Sequence, residues 1–125
     1  MSEFNYELSL LKIPVSDIKR GAEFYETTLK FKPQFVAEQY GWAQLEAGEL
    51  PLALYKPGMG GGDAKPGGSS GFHLALPAKQ FDALAADLVP RGVLVENKIH
   101  RGDDGSTFVQ VRDPDGNIVH LSRAE

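Results

Sequence analysis

Two histidines in strand-like stretches are the residues of this sequence best suited to metal or proton chemistry. His73 and His120 both fall opposite the apolar residues with which they alternate. Two imidazoles on one face can hold a divalent metal weakly, if water or a chelating ligand completes the coordination. Glu46 is the candidate for a general base, although no second acid accompanies it. The chain has no cysteine, which excludes thiolate chemistry and disulfides.

A second set of residues has the character of a small-molecule pocket. Trp42, Gln44 and Glu46 share one face of a predicted strand, and Phe108, Gln110 and Arg112 share one face of another. Aromatic walls with a few polar groups are typical of small-molecule sites. Two alternatives remain open at this point. Trp42 could instead bury area at a core edge or dimer seam, and Arg112 could pair with a neighbouring aspartate rather than with a ligand carboxylate.

The elements that position these residues follow from hydrophobic periodicity and turn signals. The clearest signal is the Asp-Pro-Asp-Gly-Asn turn at residues 113–117, which predicts a hairpin with Val109, Val111, Val119 and Leu121 on its core face. Helices are predicted from Ile18 to near Lys30 and from Phe81 to Leu88. The predicted strands are Leu8–Val15, Pro33–Gln39, Trp42–Glu46, Leu50–Lys56, Phe72–Pro77, Leu94–Lys98, Thr107–Arg112 and Ile118–Ser122. His100 is expected in a hairpin loop with residues 101–105.

This order repeats, so the chain is predicted to be one domain of 125 residues built from two βαβββ modules. The modules cover about residues 1–57 and 71–125, and a glycine-rich linker of residues 57–71 joins them. The fold class is therefore α+β, with two curved, mostly antiparallel sheets forming a cup. Aligning the repeats pairs Leu10 with His73 and Ala53 with His120. These four residues are expected to face away from the helices and to line the cup.

Composition excludes several classes of partner. The net charge is −4, with 13 basic and 17 acidic residues mixed along the chain, and no basic stripe suggests nucleic-acid binding. No apolar run has the length of a membrane span, and no signal peptide is recognisable. A cysteine-free chain without these features fits a cytoplasmic location.

Two segments carry a resemblance to a known family: Ile13-Pro14-Val15-Ser16-Asp17 leading to Phe24-Tyr25, and residues 113–117 leading to His120-Leu121. With these segments the sequence resembles the vicinal oxygen chelate superfamily, which includes glyoxalase I, bleomycin-resistance proteins and extradiol dioxygenases. In metal-using members, four ligands lie at the positions matched by Leu10, Ala53, His73 and His120. The family would place a histidine at Leu10 and a glutamate at Ala53. His73 retains the usual histidine, and His120 replaces the usual glutamate.

The resemblance implies a homodimer that binds a small molecule, as in the bleomycin-resistance branch. With two of the four ligand positions apolar, no tight catalytic metal or other cofactor is expected, and at most a weakly held divalent ion. The alternative is a metal-dependent lyase, isomerase or dioxygenase that uses His73 and His120, with Glu46 or Gln110 as a third group. A third class is a regulatory subunit with a vestigial pocket. The ligand pocket is predicted from Leu10, Trp42, Gln44, Ala53, His73, Phe108, Gln110, Arg112 and His120.

Overall fold

The structure is a computed structural model that describes residues 3–68 and 73–124, and it contains two βαβββ modules. The first module consists of β1 (Leu11–Pro14), α1 (Ile18–Thr27), β2 (Lys32–Ala37), β3 (Trp42–Ala47) and β4 (Leu50–Tyr55). The second consists of β5 (His73–Pro77), α2 (Ala78–Leu88), β6 (His100–Arg101), β7 (Thr107–Arg112) and β8 (Ile118–Ala124). The predicted α+β fold is confirmed.

Each module forms its own four-stranded mixed sheet. The strand order is β1-β4-β3-β2 in the first sheet, called sheet A here, and β5-β8-β7-β6 in the second, called sheet B. In sheet A β1 pairs with β4 in parallel, and in sheet B β5 pairs with β8 in parallel. The other strand pairs are antiparallel. The sheets remain open and do not close into a barrel.

One face of each sheet packs against its helix. Asp17 caps α1 by accepting a hydrogen bond from Arg20 N at 3.0 Å, and the apolar side of α1 buries Ile18, Ala22 and Tyr25. The helix-side residues of both modules, including Leu54 and Val119, form one contiguous core. The opposite side of each sheet, called its open face here, carries the alternate residues and all of the predicted site residues of the strands.

The predicted turn at residues 113–117 fastens the second module to the first. Tyr25 Oη donates to Asp113 Oδ2 at 2.8 Å, and Asn117 Nδ2 donates to Pro14 O at 2.8 Å. Asp113 and Asn117 are both buried, and Asp113 Oδ1 also accepts from Asn117 N. Burial, followed by the nearby Asp113 carboxylate, raises the pKa of Tyr25 far above its ordinary value, so Tyr25 remains a hydrogen-bond donor.

The predicted strand Leu94–Lys98 is wrong. Val95–Asn97 forms a 3-10 turn in which Glu96 and Asn97 have φ values of 59° and 54°, outside the strand region. Leu94 is buried and makes an isolated bridge to Val111. The edge strand is instead β6, which places His100 in the sheet rather than in the expected loop. The apolar residues at 93–95 thus reflect burial and not an extended strand.

Other boundaries shift by a few residues. The first strand begins at Leu11, so Leu10 precedes it, whereas Leu8 was expected to begin it. Phe72 lies outside the described residues. None of the described helices has the length and apolarity needed to cross a bilayer.

Candidate functional site

Four stacked rings cross the open face of sheet B, one from each strand. His73 stacks on His120 with ring centroids 4.0 Å apart, His120 on Phe108 at 4.6 Å, and Phe108 on His100 at 5.2 Å. The interplanar angles are 10°, 19° and 12°. This ring ladder contains all three histidines of the chain. It ends at the exposed His73 on edge strand β5.

Strand pairing explains why these rings meet. His73 lies directly opposite His120, and His100 lies directly opposite Phe108. His120 faces Gln110 across the β7–β8 pair, which leaves Phe108 as its diagonal neighbour. Side chains on one face of neighbouring strands are within reach of one another, so a ring on every strand produces a continuous stack.

The centre of the ladder disfavours positive charge. Desolvation by burial, followed by the charges of His73 and His100, lowers the pKa of His120 below its ordinary value. His120 is therefore neutral at pH 7 and can stack on its neighbours without charge repulsion. His100 Nε2 lies 3.4 Å from Val95 O, which would accept its proton in the matching tautomer.

The remaining predicted pocket residues of the second module, Gln110 and Arg112, differ in burial. Gln110 is half-buried beside His120 on the open face. Arg112 is exposed at the end of β7, paired across the strands with Ile118, and its backbone N donates to Val93 O at 2.8 Å. Neither Asp113 nor Asp115 forms an ion pair with Arg112 in the described part of the chain.

The predicted residues of the first module form a separate group on sheet A. Trp42, Gln44 and Glu46 are half-buried on its open face. Gln34 joins the two polar ones, because its amide donates to Glu46 Oε1 and accepts from Gln44 Nε2. No hydrogen bond or ring contact among the described residues links this group to the ring ladder. Glu46 thus has no imidazole partner for proton transfer.

The cross-strand register differs from the one expected from the repeat. Ala53 pairs with Lys12, two residues beyond Leu10, whereas His120 pairs with His73. Leu10 is half-buried ahead of β1, and Ala53 has no exposed surface. Aligning Ala53 with His120 therefore places Lys12, and not Leu10, in the position of His73.

The donor set does not fit a tightly bound catalytic metal. Such an ion needs at least three protein ligands and an open position. The ring ladder supplies the imidazoles of His73 and His120, and the described residues contain no group of three or more histidines and carboxylates that could hold a metal. Gln110 is the nearest further oxygen donor by register.

A larger cavity of about 800 Å³ lies on the helix side, at the junction of the two modules. Its walls include Leu29 and Phe31 from the first module and Leu74, Leu76 and Leu84 from the second. None of the predicted site residues lines it. The polar residues of its lining are Lys30, Glu49, Gln80 and Asp87, of which Lys30 and Asp87 form an ion pair with each other.

Sequence reasoning missed three residues of the open faces. His100 was assigned to a loop, although its alternation with Arg101 ahead of a Gly-Asp-Asp-Gly turn is a hairpin signal. Lys12 and Tyr55 were not singled out. Both share the strand parity of Leu10 and Ala53, so period-two alternation alone would have placed them on the open face.

Comparison with known proteins identifies the class. The model of the Glyoxalase/Bleomycin resistance protein/Dioxygenase superfamily matches residues 7–121. The chain belongs to this superfamily. This is the vicinal oxygen chelate fold expected from the sequence.

The chain is also similar to individual proteins over most of its length. An uncharacterised protein of Bacillus subtilis (strain 168), YraH, is 27% identical in an alignment of length 123, and the match covers 92% of this chain and 96% of YraH. A superfamily member from Sphaerobacter thermophilus is 25% identical with a TM-score of 0.76, covering 96% and 98% of the two chains. The bleomycin-binding protein of Streptomyces verticillus, solved with copper(II)-bleomycin, shares the fold at 18% identity and a TM-score of 0.67, covering 98% and 99%.

Proposed function

We propose that this chain is a small-molecule-binding protein that holds a planar aromatic ligand against the ring ladder, without a tightly bound catalytic metal. It acts as a homodimer in the cytoplasm. The observation that carries the proposal is the stack of His73, His120, Phe108 and His100 across an open sheet face. A solved protein of the same fold binds copper(II)-bleomycin, which supports the choice of a small-molecule ligand but not of a particular one.

The ladder has the physical properties that such a ligand requires. Its terminal ring, His73, is exposed at a sheet edge, so a planar ligand can extend the stack by one ring. The neutral state of His120 favours neutral or weakly charged aromatic systems over cations. Gln110 beside His120 offers an amide that can donate to or accept from a polar group on the ligand.

Planarity is the property to test. 2-Naphthamide should raise the melting temperature, because a ligand that binds only the folded state stabilises it. Its saturated analogue decahydro-2-naphthamide, with the same amide but no flat ring, should have little effect. Equal shifts for the two compounds would contradict stacking and leave a general apolar site instead.

A metal-dependent enzyme is the second candidate, favoured by one observation. The two imidazoles of His73 and His120 lie side by side, and Gln110 could add an oxygen donor. Elemental analysis of protein purified without chelator from a zinc-, nickel- and manganese-supplemented culture distinguishes the candidates. One metal ion per chain, lost in His73→Ala, would replace the binding-protein proposal with the enzyme.

A further inference from the structure

A smaller cavity of about 370 Å³ lies on the open face of sheet A, between β1, β4 and the glycine-rich segment. It is called the lysine pocket here. Among the described residues, its lining contains two cationic side chains and no acidic one. The lining residues are Lys12, Pro14, Tyr55, Ala64, Lys65 and Gly68.

Lys12 is held in place above the sheet. Its Nζ donates to Gly61 O at 2.6 Å and lies 5.3 Å from the centroid of the Tyr55 ring. A lysine ammonium has three hydrogens to donate, so this contact leaves two for a ligand. The aromatic face of Tyr55 adds a cation–π attraction that keeps the ammonium there.

The positive charge of the lysine pocket has no paired carboxylate in the part of the chain that the structure describes. Neither Lys12 nor Lys65 forms an ion pair with any carboxylate in residues 3–68 or 73–124. Four other basic residues, Lys30, Arg91, Lys98 and Arg123, do pair with aspartates or glutamates. Two unpaired ammonium groups at one concave site attract an anion.

The segment that closes the lysine pocket is packed against the sheet. A Cβ at Gly61 would come within 2.9 Å of Tyr55 Cβ and 3.1 Å of the Trp42 ring, and one at Gly62 within 2.8 Å of the Tyr55 ring. Only glycine permits this approach. Further along, Gly67 N donates to Asn117 Oδ1 at 2.9 Å. The glycine-rich wall of the lysine pocket is therefore fixed by glycine packing at residues 61–62 and by a hydrogen bond at Gly67.

We propose that the lysine pocket binds the anionic group, a carboxylate or a phosphate, of a small organic molecule. Lys12 and Lys65 hold the anion, and Tyr55 contacts the adjoining part of the ligand. The proposal concerns another sheet and other residues than the ring ladder. It therefore holds whether or not the ladder binds an aromatic molecule.

Trp42 provides the readout, because it is the only tryptophan and Gly61 packs against it. Cyclohexanecarboxylate, cyclohexyl phosphate and the neutral cyclohexanecarboxamide, none of which has a flat ring for the ring ladder, are titrated at low ionic strength while the fluorescence of Trp42 is followed. Saturable binding of at least one of the two anions, and none of cyclohexanecarboxamide, is expected. The tighter anion identifies the group as carboxylate or phosphate.

Variants assign the binding to the two lysines. Lys12→Met and Lys65→Met should each weaken binding about tenfold, which corresponds to about 1.4 kcal/mol. Lys12→Arg should retain most of it, since both the charge and a donor to Gly61 O remain. Lys56→Met is the matched control, because Lys56 follows Tyr55 but does not line the pocket. Added salt should also weaken binding by screening.

The proposal fails on any of three results. These are no saturation by either anion up to about 10 mM, equal binding of cyclohexanecarboxamide, or unchanged anion binding in both methionine variants. Lys65→Met keeps the test valid if Lys12→Met disturbs the segment, because the Lys65 side chain makes no hydrogen bond to any described residue.

Discussion

Asp113 is the central residue of the hydrogen-bonded contact between the two modules, called the module joint here. Its side chain accepts hydrogen bonds from Tyr25 Oη, Asn117 Nδ2 and the backbone N of Asp115 and Asn117, each at 2.8–2.9 Å. It is 4% exposed. A buried donor that loses its acceptor cannot turn to water instead, so its desolvation cost appears in full.

Asp113→Ala should lower the free energy of unfolding by about 3 kcal/mol, because several buried donors lose their acceptor together. Tyr25→Phe should cost only about 1 kcal/mol, since Asp113 keeps its other partners. Urea denaturation measures both values. Asp82→Ala, which removes an exposed ion pair to Arg123, is the control and should change stability by less than about 1 kcal/mol. Equal effects of Asp113→Ala and Asp82→Ala would refute the proposed joint.

His120 should make the stability of the protein depend on pH. Its pKa is lowered in the folded state, by desolvation first and then by His73 and His100, so the unfolded chain binds more protons as the pH falls. Stability is therefore fully present above the unfolded pKa of about 6.5 and decreases until the pH is below the folded pKa. Urea denaturation between about pH 7.5 and about pH 5 should show a smaller loss for His120→Gln than for the wild type. An identical loss in both would exclude His120 as the source.

At the scale of elements, residues 57–71 were predicted to be a glycine-rich linker, and the described part of this segment, residues 57–68, packs on sheet A through Gly61 and Gly62. Gly61→Ala should displace the segment and lower the free energy of unfolding by about 1–3 kcal/mol, because the added methyl overpacks Tyr55 and Trp42. Gly68→Ala is the matched control, since among the described residues a Cβ there would meet only Lys65 O, at an ordinary 3.5 Å. Thermal melting and the emission of Trp42 report the change. Similar spectra and melting temperatures for both variants would show that the packing contributes little.

The fold could be predicted from the sequence because its signals are local. Alternation placed Val109, Val111, Val119 and Leu121 on the core face, and all four are buried. The strand predicted at Leu94–Lys98 is wrong because the structure there depends on contacts distant in the sequence. Leu94 is buried and forms an isolated bridge to Val111, and Glu96 and Asn97 then have positive φ; such a tertiary arrangement leaves no periodicity to detect.

The site was predictable only in part for a related reason. Period-two alternation puts His73 and His120 on the open face of sheet B. Their direct pairing depends on the cross-strand register, which cannot be read from the sequence. The same register places Lys12 beside Ala53 in the first module. A shift of two residues in the strand register leaves every side chain on the same face of the sheet. Alternation therefore could not show whether Lys12 or Leu10 lies opposite Ala53.

At the scale of the whole molecule, two open sheets leave exposed edges that one small chain does not cover. The edge strand β2 has Phe35 50% and Val36 45% exposed. We therefore expect a homodimer, with twice the chain mass of 13.6 kDa, in sedimentation at micromolar concentration. A single species with the mass of one chain at every micromolar concentration tested would contradict this expectation.

Ligand binding at the ring ladder without a metal is the central property proposed for this protein. The most direct measurement is a calorimetric titration of 2-naphthamide into chelator-treated wild type and into His73→Ala/His120→Ala. We expect saturable binding by the metal-free wild type, and binding about tenfold weaker in the double variant, because two stacking rings are lost. Both proteins should have similar melting temperatures before ligand is added. Binding that disappears on chelation and returns with a divalent metal, or that is unchanged in the double variant, would contradict the account.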